Sequence, residues 1–168
     1  MRDTNLSDLI GGALHRLIIE KGSTISLQRV IRIKSGQRNK IESIREVIYP
    51  GLFTSGDDGY ATPTAHETRN LGTTVEVDPV FNDKGTVLDL DLSPEQVSHF
   101  GESIHHRILI GGEWKPNVTM PVFYTMKTTT QVTLPLDTYV LVSVMSPPDA
   151  EGRTDASRKV LLFVKVSR

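Results

Sequence analysis

The sequence predicts a mainly β protein: an antiparallel β-sandwich carrying one N-terminal amphipathic α-helix. Three observations predict it. Beyond Gly22 the apolar residues recur with a period of two rather than 3.6. The turn Asn82-Asp83-Lys84-Gly85 separates two alternating runs, as in an antiparallel hairpin. About seven or eight short strands follow the helix, and half-buried sheets of that kind need a second layer to cover their apolar faces. An immunoglobulin-like sandwich is compatible with the strand count. The topology stays open, because the Cys…Trp…Cys signature is absent.

The 168 residues favour a single domain spanning 1–168, with a helix over 4–21 and a β framework over 24–168. In the helix, Leu6, Leu9, Ile10, Ala13, Leu14, Leu17 and Ile18 form one apolar stripe. Asp3, Thr4 or Asn5 can cap its start, and Lys21-Gly22 suits its end. Gly11 and Gly12 each weaken it by roughly 1 kcal/mol relative to Ala, so the stripe needs a docking partner.

Ile25, Leu27 and Val30-Ile31-Arg32-Ile33 suggest the first strand, ended by the turn Ser35-Gly36-Gln37. A second runs from Ile41 to Ile48 and is stopped by Pro50-Gly51. Thr54 to Asn70 reads as a long polar loop. Thr73–Val80 and Val87–Leu92 make the hairpin, with Leu88, Leu90 and Leu92 on one face and Asp89 and Asp91 on the wet one. Glu95 to Pro116 reads as irregular, with a short strand over His106–Ile110 and a turn at Gly111-Gly112. Val118–Thr130 and Gln131–Val144 are further strands, bent at Pro135-Leu136-Asp137. After the polar loop from Pro147 to Asp155, Val160–Val166 is apolar enough to be a central strand.

Composition narrows the function. Nineteen basic residues against twenty acidic ones leave a net charge of −1, with no electrostatic footprint for nucleic acid. No cysteine is present, which excludes disulfides, thiolate nucleophiles and cysteine-based metal sites. No apolar run approaches the ~20 residues of a spanning helix, and the opening Met1-Arg2-Asp3-Thr4-Asn5 is no signal peptide. His99, His105 and His106 beside Glu102 invite a metal reading. Adjacent histidines on a strand point to opposite faces, however, so solvated loop histidines are the expectation and no metal ligand is assigned. His15 and His66 read as surface residues. Gly-x-Ser-x-Gly, GxGxxG and Walker patterns are missing, and Asp89 and Asp91 read as a solvated face rather than an acid–base pair. The expectation is a non-enzyme with no catalytic residues, cofactor or metal.

In order along the chain, several stretches resemble the C-terminal domain of secretins, the outer-membrane channel subunits of type II secretion and type IV pilus systems. Ser26-Leu27-Gln28-Arg29-Val30 through Ser35-Gly36-Gln37 to Ile41-Glu42 is similar to the family's strand–turn–strand unit, and Arg45–Pro50 to its verrucomicrobial members. Glu67–Pro79, containing Leu71-Gly72-Thr73-Thr74-Val75-Glu76-Val77-Asp78-Pro79, resembles the family's VGxxLxVxP strand. Thr128–Pro135 matches the paired-Thr strand, and Leu161–Val164 the terminal one. The chain departs from the family at Val142-Ser143-Val144, where secretins carry Gly-Gly-Leu. It departs again at Pro147–Lys159, a polar loop where they carry an apolar, membrane-meeting stretch.

The resemblance implies a shortened, exported accessory protein of a verrucomicrobial, Akkermansia-like type IV pilus gene cluster. It would act in the periplasm, at the outer membrane or on the cell surface, and bind pilus or outer-membrane assembly proteins in pilus assembly or adhesion, as a monomer. The alternative it implies is a ring-forming, secretin-like channel subunit fragment. The expected contact surface is a strand edge or the loops around Leu52–His66 and Ser98–Trp114. Trp114 is expected to fold back over one end of the core.

Overall fold

The computed structural model describes residues 23–167, and the expected helix over 4–21 lies outside them. The described chain is mainly β and antiparallel. Its strands are β1 (Asn39–Ser55), β2 (Ala61–Phe81), β3 (Val87–Ile110), β4 (Glu113–Lys127), β5 (Thr130–Pro135), β6 (Val140–Met145) and β7 (Val160–Val164).

The first five strands form one sheet, ordered β1-β2-β3-β4, with β5 also beside β3; β6 and β7 form a second, two-stranded sheet. β3 is the spine. Its first part, Val87–Leu92, lies between β2 and β5, and its later part pairs with β4. The core sits where the sequence alternates most cleanly. Leu88, Leu90 and Leu92 are buried on one face together with Val77 of β2 and Leu134 of β5. Val140, Val142, Leu162 and Val164 of the second sheet pack against that cluster. The other face carries Asp78, Asp89 and Asp91 and is wet.

β2 pairs with β3 only from Gly72↔Val97 to Phe81↔Leu88. Beyond that point the sheet forks into two hairpins, β1–β2 and β3–β4, which meet through side chains instead of a backbone ladder. Tyr49 packs on Phe123 with ring centroids 5.6 Å apart, and Phe53 stacks on His105 at 5.9 Å. Arg69 marks the fork, its guanidinium donating to Thr125 Oγ1 at 2.9 Å and lying 3.4 Å from the Glu95 carboxylate. Lys127 closes on the same carboxylate at 3.2 Å.

Five expectations change. Thr54–Asn70 is mostly strand: β1 runs through Pro50-Gly51 with a bulge to Ser55, and only residues 56–60 turn before β2 begins. Glu95–Ile110 likewise continues β3, bulged between His99 and Glu102 where Gly101 takes φ +85°. Both stretches hide their alternation because they are covered on one side only by the other hairpin. Residues 25–33 join no strand, although the Lys34–Gln37 turn after them forms. β7 is an edge strand of a two-stranded sheet, exposing Leu161 on its outer side. Trp114 is 65% exposed beside Leu109 on the β3–β4 hairpin, not folded over the core.

Candidate assembly edges

The lengths of the strands are the first functional fact. β3 has 24 residues, and at about 3.3 Å per residue its path runs some 80 Å. A compact 168-residue domain has a radius of gyration of about 15 Å and is about 40 Å across. A strand twice that length, beside a β2 of 21 residues, extends beyond any interior its own chain can build. Accordingly Ile44, Ile48 and Leu52 of β1 are 38%, 69% and 63% exposed, and the hairpin tips present Tyr60, Leu109 and Trp114 to solvent.

Among the described residues the five-stranded sheet has two open outer edges. Among the described residues β1 has β2 on one side only, over residues 39–55. On the far side, β4 and β5 follow one another along β3, so residues 113–127 and 130–135 form one nearly continuous outer edge. Such edges carry unpaired N–H and C=O groups that accept a further strand. Pro116 and Pro121 interrupt this edge near the β3 bulges, while Val122–Leu134 is free of proline.

The wet face between the edges is an ion-paired surface. Arg38 lies 3.4 Å from Glu76 and 3.7 Å from Asp78, and Lys40 lies 2.8 Å from Glu42. The hydrogen bond with Lys40 holds the Glu42 carboxyl below its ordinary range and raises the Lys40 ammonium. Asp89 and Asp91 enter no ion pair among the described residues; Asp89 accepts a hydrogen bond from Thr133 Oγ1 at 2.6 Å.

The histidines are dispersed. His99 lies against Phe123 and 3.7 Å from Glu102, and His105 stacks on Phe53. His106 binds Asn117 through Nδ1 at 2.9 Å. Asn117 Oδ1 already accepts the Ala61 N–H at 2.7 Å, so the proton of that contact belongs to His106 Nδ1. His105 reaches across to the β1–β2 hairpin, whereas His99 and His106 make these contacts within β3–β4. Among the described residues no group of three or more His, Asp or Glu side chains is placed to hold a metal ion.

The loop joining β6 to β7 is internally tied. Asp155 accepts from the Ser157 hydroxyl and amide and from Arg158 Nε, which hold its carboxyl at about 2. A depressed carboxyl stabilises the fold above its ordinary value of 3.8 and loses that contribution as pH falls through about 2. Asp155→Asn is therefore expected to shrink the fall in melting temperature between pH 5 and pH 2, read by thermal denaturation of both proteins; an unchanged fall would contradict the pairing.

No protein-family model, curated protein or solved structure matches this chain. Among the described residues no helix is long and apolar enough to cross a membrane.

Proposed function

We propose that this chain is a structural, non-enzymatic subunit that assembles side by side with copies of itself into a ring, as a secretin-like channel component of the cell envelope. The observation that carries the reading is the pair of open edges on strands too long for one chain's interior. Side-by-side copies pair the β1 edge of one with the β4–β5 edge of the next, satisfying backbone groups on both. The two sheets then serve as the layers of a β-sandwich frame at the base of each subunit, of which the immunoglobulin-like topology is one form. The order of motifs from Ser26 to Val164 supports placing it with type IV pilus or outer-membrane assembly proteins, at the periplasmic or outer-membrane side of the envelope.

Native mass measurement and negative-stain imaging of the purified chain test this. Closed rings of many 18.6 kDa copies are expected, and a stable single copy at micromolar concentration overturns the reading. A second reading, an accessory protein that binds a pilus component as a monomer, is favoured by the exposed Trp114–Leu109 pair, which suits an aromatic anchor. A single copy that loses its partner on Trp114→Ala would establish it instead.

A further inference from the structure

The residues before β1 carry a strand-like sequence pattern but form no strand among the described residues. Ile25, Leu27, Ile31 and Ile33 share one side against Ser26, Gln28, Val30 and Arg32, an alternation interrupted at Arg29 and otherwise suited to a half-buried strand. Yet Ile25, Leu27 and Val30 are 43%, 41% and 82% exposed. Residues 24–33 make no backbone–backbone hydrogen bond among the described residues.

The arm is anchored at its base. The Gly36 N–H donates to the Pro79 carbonyl at 2.7 Å, and the Phe81 N–H donates to Ser35 Oγ at 3.1 Å. It therefore leaves the sheet on the β1 side, at the level of Pro79. Pro79 lies opposite Leu90, and Leu90 opposite Val132 of β5. β5 thus forms the other edge of the sheet at the same height as the arm, with β2 and β3 between them. In one molecule the two are on opposite sides, so only a second copy can bring this β5 edge beside the arm.

Charge selects the same pairing. The arm and its turn hold Arg29, Arg32 and Lys34 and no acid. Beside β1 they would meet mixed charge, Glu42 and Glu46 among Arg38, Lys40 and Arg45, with Arg38 and Lys40 already ion-paired, whereas β5 carries no cation and borders Asp89 and Asp91 of β3, which are free of ion pairs among the described residues.

We propose that residues 25–33 form a strand that adds to the open β5 edge of a second copy of this chain. The side bearing Ile31 and Ile33 continues the apolar row of Val132 and Leu134, and Arg32 lies on the face of Gln131 and Thr133, beyond which stand Asp91 and Asp89 of the second copy. The proposal rests on the self-assembly reading and adds the segment that joins the copies.

The absence of cysteine makes the test direct. Full-length chains carrying Gln28→Cys, Val30→Cys or Arg32→Cys are each mixed with a chain carrying Gln131→Cys and mildly oxidised. A cross-linked product of twice the single-chain mass, dominant for one of the three positions, is expected. A cross-link that forms only within a chain bearing both cysteines overturns exchange between copies. Ile31→Pro, which removes an N–H and blocks strand pairing, is expected to lower the assembled fraction at least tenfold with an unchanged far-ultraviolet spectrum. Rings that persist in Ile31→Pro and give no mixed cross-link defeat the arm while leaving self-assembly standing. A wild-type chain that forms no oligomer defeats both.

Discussion

Leu88→Ala is expected to destabilise the fold by about 3 kcal/mol, within the range of about 2–5 kcal/mol for fully buried leucines. Leu88 is wholly buried, opposite Phe81 of β2 and Leu134 of β5, and Leu134 is itself 1% exposed. Strand partners on both sides and the second sheet above leave the site little freedom to collapse, so the cavity persists. At about 2–4 °C per kcal/mol, a melting temperature lower by about 10 °C accompanies the change. Urea denaturation of the two proteins checks it. A difference below about 1 kcal/mol would mean that the Leu88–Leu90–Leu92 row is not the structural centre. Leu161→Ala is the matched control, since Leu161 is 38% exposed.

The second large effect belongs to Gly72. Its φ of +119° is a conformation that side-chain-bearing residues rarely adopt, and a Cβ there would lie 2.2 Å from the Ser43 carbonyl oxygen of β1. That oxygen is backbone within a paired strand and cannot swing aside. Gly72→Ala is therefore expected to combine backbone strain with overpacking, each about 1–3 kcal/mol, and to disrupt the β1–β2 hairpin at the fork. Gly101→Ala separates the two contributions: Gly101 has φ +85° but nothing within 4 Å of an added Cβ. Denaturation midpoints should fall much further for Gly72→Ala than for Gly101→Ala, and equal losses would remove the steric argument.

The legible part of the fold is the part covered within the chain. Leu88, Leu90 and Leu92 alternate with aspartates because one face of β3 meets the second sheet and the other meets water. The same strand past Val97 reads as irregular, because Ser98, His99, Glu102 and Ser103 surround a bulge and the covering comes only from the other hairpin. Thr54–Asn70 fails for a like reason: its threonines and charged residues are exposed on a strand with a single neighbour. Residues 25–33 show the opposite error. Their pattern suits a strand, but local preference cannot supply the edge that would receive it. Val160–Val166 reads as central because one side meets the core, whereas its other side is open among the described residues. The sequence points to a strand edge, without saying which, or to loops around Leu52–His66 and Ser98–Trp114, stretches that are mostly strand. An edge consists of backbone groups, and no side-chain motif marks it; overlong strands bounded by turns at Gly59 and Gly111 were the signal to find.

The fork at Gly72 and Val97 makes the molecule mechanically uneven. Below it, a force along the strands must shear rows of backbone hydrogen bonds together. Above it, a force that separates the tips peels apart a short series of contacts: Ala61 with Asn117, Phe53 with His105, Tyr49 with Phe123, and last the Arg69 link to Thr125. The prongs can therefore yield one contact at a time while the base holds as a unit. Load on the tips is absorbed by that wishbone before it reaches the leucine row.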